Sequence, residues 1–381
     1  MNEPNRQQQA KKYERVKLLL SVGQSVISFL LMCVVAFGGY GERLRDVVSA
    51  YSTNPYVRFL LFTAVLGIVF LLIDLPISFI SGYQVEHRYE LSNQTVAGWL
   101  WEQTKALLLG IVLLVPLLLI FYYLLLHAPQ TWWLWTSLVL FFFTIVLGRI
   151  TPQLILPLFY KFEPLDEPQL LERMKNLAAK GGFELEGVYQ FDMSKTTKKA
   201  NAAFTGLGKS RRIILGDTLL QNYSLDEIET VFAHEVGHYV HKHLWWGLLS
   251  GTAAIFVELY LANAIYQWAL KTLHFTGPAD LAALPLLSVI LSVLTLIFSP
   301  LTNMLARRFE RQADAYAVLH SANPEAFISA LEKLAEQNLT DREPHPLVEF
   351  LFHAHPSFSS RVNSARELIA KIKNQGIGEK S

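Results

Sequence analysis

Two histidines lie four residues apart in the segment 234–238, and a glutamate directly follows the first of them. Residues i and i+4 share one face of a helix, so His234 and His238 can present two imidazole nitrogens to a single zinc ion. Glu235 lies beside them, where a carboxylate can act as the base for an attacking water molecule. The pattern His-Glu-x-x-His therefore predicts a zinc peptidase site on a helix.

A catalytic zinc ion takes three protein ligands and keeps one open position, so the third ligand must come from another part of the chain. Glu310 is the candidate, with Asp314 one turn later on the same face of a predicted helix. We expect Glu310 to bind zinc and Asp314 to accept the free N–H of a zinc-bound histidine, which would fix its tautomer. The alternative is that both carboxylates pair with neighbouring arginines on a solvated helix face.

The sequence also predicts the surroundings of three other residues in or near the motif. Gly237 costs a helix about 1 kcal/mol relative to alanine, which close approach of another backbone or a ligand would explain. A tolerated surface glycine is the alternative. His241 and His243 follow the motif, but zinc needs no further ligands, so we expect both to be interfacial polar residues.

The composition places much of the chain in lipid. Hydrophobic residues make up 52% of the sequence and charged residues only 17%, whereas soluble domains have about a quarter charged residues. The net charge of +1 lacks the basic excess of nucleic-acid-binding proteins, so nucleic acid is not an expected partner. Apolar windows long enough to cross a bilayer predict six spans, at about 18–40, 59–84, 104–126, 132–158, 244–269 and 282–304.

Basic residues orient these spans. If the N-terminus is inside, the outer loops hold only four of the 33 basic residues, which is the positive-inside pattern. We therefore predict a multi-pass protein, with its catalytic parts cytoplasmic, in the plasma (inner) membrane. Asp74 and Glu258 fall within spans, where an ionised side chain costs at least about 2.5–3.5 kcal/mol unless it faces water or a partner. They could line a water-filled chamber or pair with a neighbouring helix, and we assign neither to catalysis.

The spans divide the chain into five predicted parts: a cytoplasmic N-terminal segment (1–17), spans one to four (18–160), a catalytic part with the motif helix (161–243), spans five and six (244–304) and a cytoplasmic C-terminal part with the third ligand (305–381). The fold class is mostly α, a polytopic membrane helix bundle with a small cytoplasmic α+β domain. The catalytic part should contain a helix (167–179), three short strands (185–191, 201–204 and 212–215) and the motif helix. Ser224 and Glu227 form a capping-box pattern at the start of that helix.

The sequence resembles the integral-membrane zinc CAAX prenyl endopeptidases of type I. The resemblance rests on both zinc motifs, on segments 155–165, 194–206 and 217–220, and on His355-Pro356 followed by Arg361. It covers most of residues 20–370. Eukaryotic members of that family have seven spans rather than six. Glu90-Leu91 stands where they usually have glycine-phenylalanine, so we assign no role to that loop.

The resemblance implies a gluzincin-like zinc site inside a ring of transmembrane helices that encloses a water-filled chamber. It places one zinc ion per chain on His234, His238 and Glu310, with Glu235 as the base and Asp314 behind the ligands.

The resemblance also implies an edge strand that holds the substrate by β-augmentation, formed by Asn201, Ala202, Ala203 and Phe204. The alternative for this segment is an ordinary interior strand. His355 and Arg361 correspond to groups that stabilise the oxyanion, and the alternative for them is a helix start and a surface arginine.

The predicted function is a membrane-embedded zinc endopeptidase that cuts peptide bonds of membrane-associated or CAAX-type C-terminal substrates, prenylated or not. One alternative is an HtpX-like quality-control protease for membrane proteins, with the same zinc chemistry. A transporter or an inactive scaffold is the alternative outside the enzymes. The expected partners are a peptide or protein substrate and the lipid bilayer.

Overall fold

The structure is a computed structural model that describes residues 3–205 and 212–378. Six of its helical segments are long and apolar enough to cross a membrane: Arg6–Phe37, Pro55–Arg88, Val96–His127, Trp132–Phe159, His243–Thr272 and Leu281–His320. Each predicted span overlaps one of these segments. The first span was predicted to end at about residue 40, three residues too late, because the helix ends at Phe37 and Gly39 adopts a left-handed backbone (φ 74°).

Seven α-helices form the first four spans and the segment between the first two: α1 (Glu3–Phe37), α2 (Tyr40–Tyr51), α3 (Pro55–Phe79), α4 (Val85–Arg88), α5 (Val96–His127), α6 (Trp132–Ile150) and α7 (Leu156–Phe159). Short π-helical turns join α3 to α4 and α6 to α7. The second of these turns contains a proline, Pro152, which removes a helical hydrogen-bond donor. The α2 helix lies between the first and second spans.

The remaining helices are α8 (Pro168–Lys180), α9 (Asp217–Asn222), α10 (Leu225–Val240), α11 (His243–Thr272), α12 (Leu284–His320), α13 (Pro324–Gln337), α14 (Pro346–Phe352) and α15 (Phe358–Gly378). The α11 helix forms the fifth span. The α12 helix is 37 residues long and continues beyond the predicted sixth span without a break. Glu310 and Asp314 therefore lie on a rigid extension of a membrane helix.

A four-stranded sheet lies between the fourth and fifth spans in the sequence. Its strands are β1 (Phe162–Pro164), β2 (Gly187–Phe191), β3 (Ala202–Thr205) and β4 (Arg212–Gly216), in the spatial order β1-β2-β4-β3. The β2 and β4 strands are parallel, with Val188 opposite Ile213, and the two outer pairs are antiparallel. Each predicted strand is present, and the first begins at Gly187 rather than at residue 185.

The sheet and the motif helix share one hydrophobic core with the end of α12. Met174 of α8, Leu215 of β4, Val236 of α10 and Ala317 of α12 are fully buried in it. This core fixes the distance between α10 and α12, the two helices that carry the predicted zinc ligands.

A second core lies between the spans, at one end of them. Apart from Val48 of α2, its buried residues come from the second halves of spans one, three and five, such as Tyr266, and from the first halves of spans two, four and six, such as Phe59 and Leu287. Because successive spans run in opposite directions, these halves belong to the same end of the bundle. The spans pack together at the end away from the catalytic part, as expected for a bundle around a chamber.

Two acidic residues within the spans differ in their contacts. Glu258 of α11 accepts a hydrogen bond from Thr295 of α12, so it pairs with a neighbouring helix. Asp74 of α3 has one buried carboxylate oxygen without a hydrogen-bond partner among the described residues.

Candidate metal centre

The α10 helix holds the two motif histidines one turn apart. Its first turn is fixed by the predicted capping box, because Ser224 N–H donates to Glu227 (2.8 Å) and Glu227 N–H donates to the Ser224 hydroxyl (3.3 Å). The Nε2 atoms of His234 and His238 face each other at 3.1 Å. Both imidazoles therefore point to one place.

Close packing of α12 against α10 brings Glu310, the predicted third ligand, next to the two imidazole rings. A Cβ at Gly237 would lie 2.9 Å from the Cα of Ala313 and 2.9 Å from the Cβ of Tyr316. The prediction of a close backbone approach at Gly237 is therefore confirmed. With the two helices packed this closely, Glu310 Oε2 lies 3.4 Å from His234 Nε2, and Glu310 Oε1 lies 3.3 Å from His238 Nε2.

These three side chains fit a zinc ion. Ligands at about 2.0–2.1 Å in tetrahedral geometry lie about 3.3 Å from one another, and the donor atoms here are 3.1–3.4 Å apart. Glu310 Oε2 is buried without a hydrogen-bond partner among the described residues, as expected of an oxygen reserved for a cation. The donor set of two imidazoles and one carboxylate is that of catalytic zinc sites.

Asp314 lies behind His234 and is itself held by an arginine. Its Oδ1 atom is 2.9 Å from His234 Nδ1, the ring nitrogen opposite the one that faces Glu310. Arg361 of α15 donates two hydrogen bonds to Asp314, from Nε (2.8 Å) and from Nη2 (2.7 Å). All three groups are largely buried, so Arg361 balances the charge of a carboxylate that water does not reach.

The same carboxylates act on the protonation of His234. Burial lowers the pKa of its imidazole, but Asp314 and Glu310 outweigh burial and raise the pKa to about 9. A metal ligand must be the neutral ring, so metal binding at this site is coupled to the release of a proton.

Glu235 and His355 lie near the ligands on different elements. Glu235 is half-buried on α10. Burial lowers the pKa of Arg361, but the negative charges of Asp314, Glu310 and, least, Glu235 outweigh burial and raise it. His355 belongs to the loop between α14 and α15, and its Nε2 atom is 3.5 Å from Glu310 Oε1. Its side chain is 66% exposed, so it can meet a molecule that approaches the site.

His243 is not the interfacial residue that we predicted. It is 6% exposed, and its Nδ1 atom lies 3.0 Å from His238 Nδ1. The prediction was wrong because Lys242 adopts a left-handed backbone (φ 57°). That turn ends the motif helix and starts α11 with His243 directed toward His238. His241 is exposed.

The predicted substrate segment forms an edge of the sheet. The β3 strand pairs with β4 and is last in the strand order of the described residues, so an interior position is excluded there. Gly216 N–H donates to the Asn201 carbonyl (2.9 Å). Because main-chain groups alternate along a strand, the backbone N–H and C=O groups of Ala202 and Phe204 face away from β4. The β3 strand also contacts α10.

The loop after span two, to which we assigned no role, holds the segment that leads into β3. Lys198 N–H donates to the Leu91 carbonyl (2.9 Å), and Ser92 and Thr197 form an isolated antiparallel bridge. Nearby, the largely buried Glu86 accepts a hydrogen bond from Tyr13 (2.6 Å). Glu86 also pairs with Lys17 (3.0 Å) and Lys199 (2.9 Å). The sequence signal that could have indicated this junction is an acidic residue, Glu86, two residues after a predicted span.

Comparison with known proteins gives matches along almost the whole chain. The family model described as peptidase family M48 matches residues 164–369, and the model described as CAAX prenyl protease N-terminal, five membrane helices, matches residues 3–161. The boundary between the two matches falls at the start of the sheet.

Curated relatives and a solved structure agree with these matches. An uncharacterized metalloprotease, YhfN, of Bacillus subtilis is 31% identical over 94% of this chain and 85% of its own length. CAAX prenyl protease 1 of Saccharomyces cerevisiae is 30% identical over 86% of this chain and 76% of its own length. The crystal structure of S. mikatae Ste24p superposes with a TM-score of 0.85 at 26% identity, over 96% of this chain and 90% of that one.

Proposed function

Because the chain belongs to peptidase family M48 and is a membrane-embedded metalloprotease, we propose that it binds one zinc ion per chain through His234, His238 and Glu310. This zinc ion would serve the hydrolysis of peptide bonds. The observation that carries this proposal is the convergence of the three donor atoms at 3.1–3.4 Å. No role as a transporter or inactive scaffold is needed to explain the polar residues at the site.

The side chains of the site have separate tasks in peptide hydrolysis. A zinc ion held by these three ligands would act as a Lewis acid, which would lower the pKa of a water molecule to about 7 and polarise the peptide carbonyl. Glu235 takes the proton of the attacking water and later delivers it to the leaving amine. His355 is exposed beside Glu310 and donates a hydrogen bond to the developing oxyanion. Asp314 holds the His234 ring in place.

Arg361 has two tasks in this proposal. Its two hydrogen bonds to Asp314 keep that carboxylate in position behind His234. Its positive charge also contributes to the potential that stabilises the oxyanion.

The substrate is a peptide that pairs with β3. The outward N–H and C=O groups of Ala202 and Phe204 offer main-chain hydrogen bonds, which hold an extended peptide whatever its sequence. We place CAAX-type C-termini, prenylated or not, first among the substrates. The match to the CAAX prenyl protease N-terminal model over residues 3–161 supports this order over a quality-control protease.

We place the catalytic part on the cytoplasmic side of the plasma (inner) membrane. The excess of basic residues in the loops on that side supports this orientation. Cysteines introduced at Thr276 and at Glu336, in a Cys33→Ser background, test it in intact cells. An impermeant thiol reagent should label only the cysteine at position 276, and labelling of only the cysteine at position 336 would reverse the topology.

Substitution of Glu235 by Gln tests the reaction. The ligand set is intact in this variant, so we expect bound zinc at the parent level and no cleavage of a farnesylated CAAX peptide. Glu172→Gln, on the exposed face of α8, is the matched control and should cleave normally. A Glu235→Gln protein that cleaves at the parent rate would refute the proposed base. Cleavage of an unfolded membrane protein, but not of the farnesylated peptide, would favour the quality-control alternative.

A further inference from the structure

The two motif histidines are supported in chemically different ways. His234 has a carboxylate behind it, whereas His238 has another imidazole, that of His243, at 3.0 Å between the two Nδ1 atoms. The far nitrogen of His243, Nε2, lies 2.9 Å from the side-chain oxygen of Gln312. Gln312 is on α12, two residues after Glu310. The contacts thus form a chain from α12 through His243 to His238.

The direction of the hydrogen bonds in this chain follows from the metal site, so this step rests on the proposed function. His238 directs Nε2 toward Glu310, and a metal-binding Nε2 carries no proton. The neutral ring then has its proton on Nδ1, so His238 donates to His243. His243 Nδ1 must accept this hydrogen bond and therefore carries no proton, so the proton of the neutral His243 ring is on Nε2. The Gln312 oxygen is the acceptor that this tautomer requires.

We propose that His243 and Gln312 are positioning residues that fix the tautomer and the ring orientation of His238. Packing holds the His243 ring as well as its tautomer. The ring is 6% exposed, and it stacks on Phe309 with centroids 4.4 Å apart and planes 13° apart. Phe309 directly precedes Glu310, so the same turn of α12 carries a metal ligand, the stacking partner and Gln312.

His243 and Gln312 are uncharged groups, so they add no net charge next to the metal site. Asp314 adds a negative charge behind His234, and Arg361 balances it through two hydrogen bonds. The hydrogen-bond partners that His243 has among the described residues, His238 and Gln312, carry no fixed positive charge. A carboxylate at position 243 would therefore add an unbalanced charge beside the metal. Imidazole and amide orient His238 without that charge.

Zinc affinity of the full-length protein tests the assignment. His243→Phe keeps the stacking on Phe309 but removes the acceptor, and His243→Asn keeps an acceptor oxygen close to the position of Nδ1. Loss of an outer partner of a zinc ligand typically lowers metal affinity about 10- to 100-fold. We expect a loss of that size in His243→Phe and recovery of most of it in His243→Asn, measured by competition with a chelator in detergent.

The control variant is His241→Phe. His241 is exposed and stacks on His243, with centroids 5.5 Å apart. The phenylalanine keeps that stacking, so zinc affinity should stay at the parent value. Equal zinc affinity in His243→Phe and the parent would overturn the assignment.

Gln312 gives a second test that does not depend on the folding of the His243 variants. Gln312→Leu removes the last acceptor of the chain, and Gln312→Glu keeps one. We expect weaker zinc binding in Gln312→Leu only, and a cobalt(II) absorption spectrum in that variant that differs from the parent spectrum. If Gln312→Leu and Gln312→Glu both have the cobalt spectrum and the zinc affinity of the parent, the assignment is overturned. A parent protein that binds no zinc would instead refute the proposed function.

Discussion

Asp314 and Arg361 form a buried ion pair, with the two side chains only 7% and 9% exposed. Removal of one partner from such a pair leaves an uncompensated charge and typically costs about 3–5 kcal/mol. We expect Asp314→Leu and Arg361→Met each to lower the free energy of unfolding by about that amount, and the double variant to lower it by much less than the sum. Denaturant unfolding in detergent measures these values.

Arg366 provides the matched control on the same helix. It pairs with Glu332, and both side chains are about half exposed, so Arg366→Gln should change the free energy of unfolding by less than about 1 kcal/mol. Additive effects of Asp314→Leu and Arg361→Met would show that the two groups do not stabilise each other.

At the scale of single residues, helical periodicity decided what the sequence could predict. His234 and His238 are one turn apart on α10, and Glu310 and Asp314 are one turn apart on α12, so each pair shares a face wherever the helices lie. His243 was different, because its position depends on the left-handed turn at Lys242 and on the approach of Gln312 from a distant part of the chain. Neither the turn at Lys242 nor the approach of Gln312 produces a periodic pattern in the sequence.

The distance between α10 and α12 depends on Gly237. In a free helix alanine would be the more stable residue by about 1 kcal/mol, but here its Cβ would lie 2.9 Å from the backbone of Ala313. Overpacking of this kind typically costs about 1–3 kcal/mol. We expect Gly237→Ala to separate the helices, and therefore to reduce both bound zinc and peptidase activity.

Gly247→Ala is the corresponding control. Gly247 is on α11, and a Cβ there would meet no atom within 4 Å, so zinc content and activity should remain at the parent level. Full zinc content in Gly237→Ala would show that the close packing of the two helices is not required for the site.

Glu227 makes the start of α10 sensitive to acid. Burial raises the pKa of its carboxyl group, but Lys333 and Ser329 outweigh burial, so the pKa lies below its ordinary value. A lowered pKa stabilises the fold above the unfolded pKa of about 4.3, and this stabilisation is lost as the pH falls through the folded pKa. The difference in unfolding temperature between the parent and Glu227→Gln should therefore be constant from pH 7 to 5 and shrink toward pH 3. A difference that stays constant to pH 3 would contradict this role.

Elements were predictable where their cause is local. The capping box at Ser224 and Glu227 and the apolar spans depend on neighbouring residues, and they were predicted close to their observed positions. The order of the strands is not local, because β4 lies between β2 and β3 and must pair with both. The edge position of β3 came only from the family resemblance.

At the scale of the whole molecule, the edge strand β3 and the membrane helices α11 and α12 lie next to the motif helix α10. A substitution in β3 tests whether this edge binds substrate. Proline at an outward-facing edge position removes a free N–H without breaking the sheet. Ala202→Pro should therefore raise the KM for a peptide substrate several-fold while zinc affinity stays at the parent value. Ala203→Pro, whose N–H faces β4, should instead destabilise the sheet. An unchanged KM in Ala202→Pro would show that substrate does not pair with this edge.

The number of candidate spans follows from composition, because about 20 consecutive apolar residues have few other uses. How the spans pack does not follow from composition. The shared core at their far end, with residues such as Tyr266 and Leu287, depends on contacts between helices that are distant in the sequence.

X-ray absorption at the zinc edge, on the purified parent protein and on Glu310→Ala, tests whether a distant carboxylate completes the site of the motif histidines. We predict one zinc ion per chain in the parent, with two imidazole nitrogens and a carboxylate oxygen at about 2.0–2.2 Å. Glu310→Ala should bind less zinc or show one oxygen ligand fewer. Equal zinc content and the same ligand shell in both proteins would exclude Glu310 as the third zinc ligand.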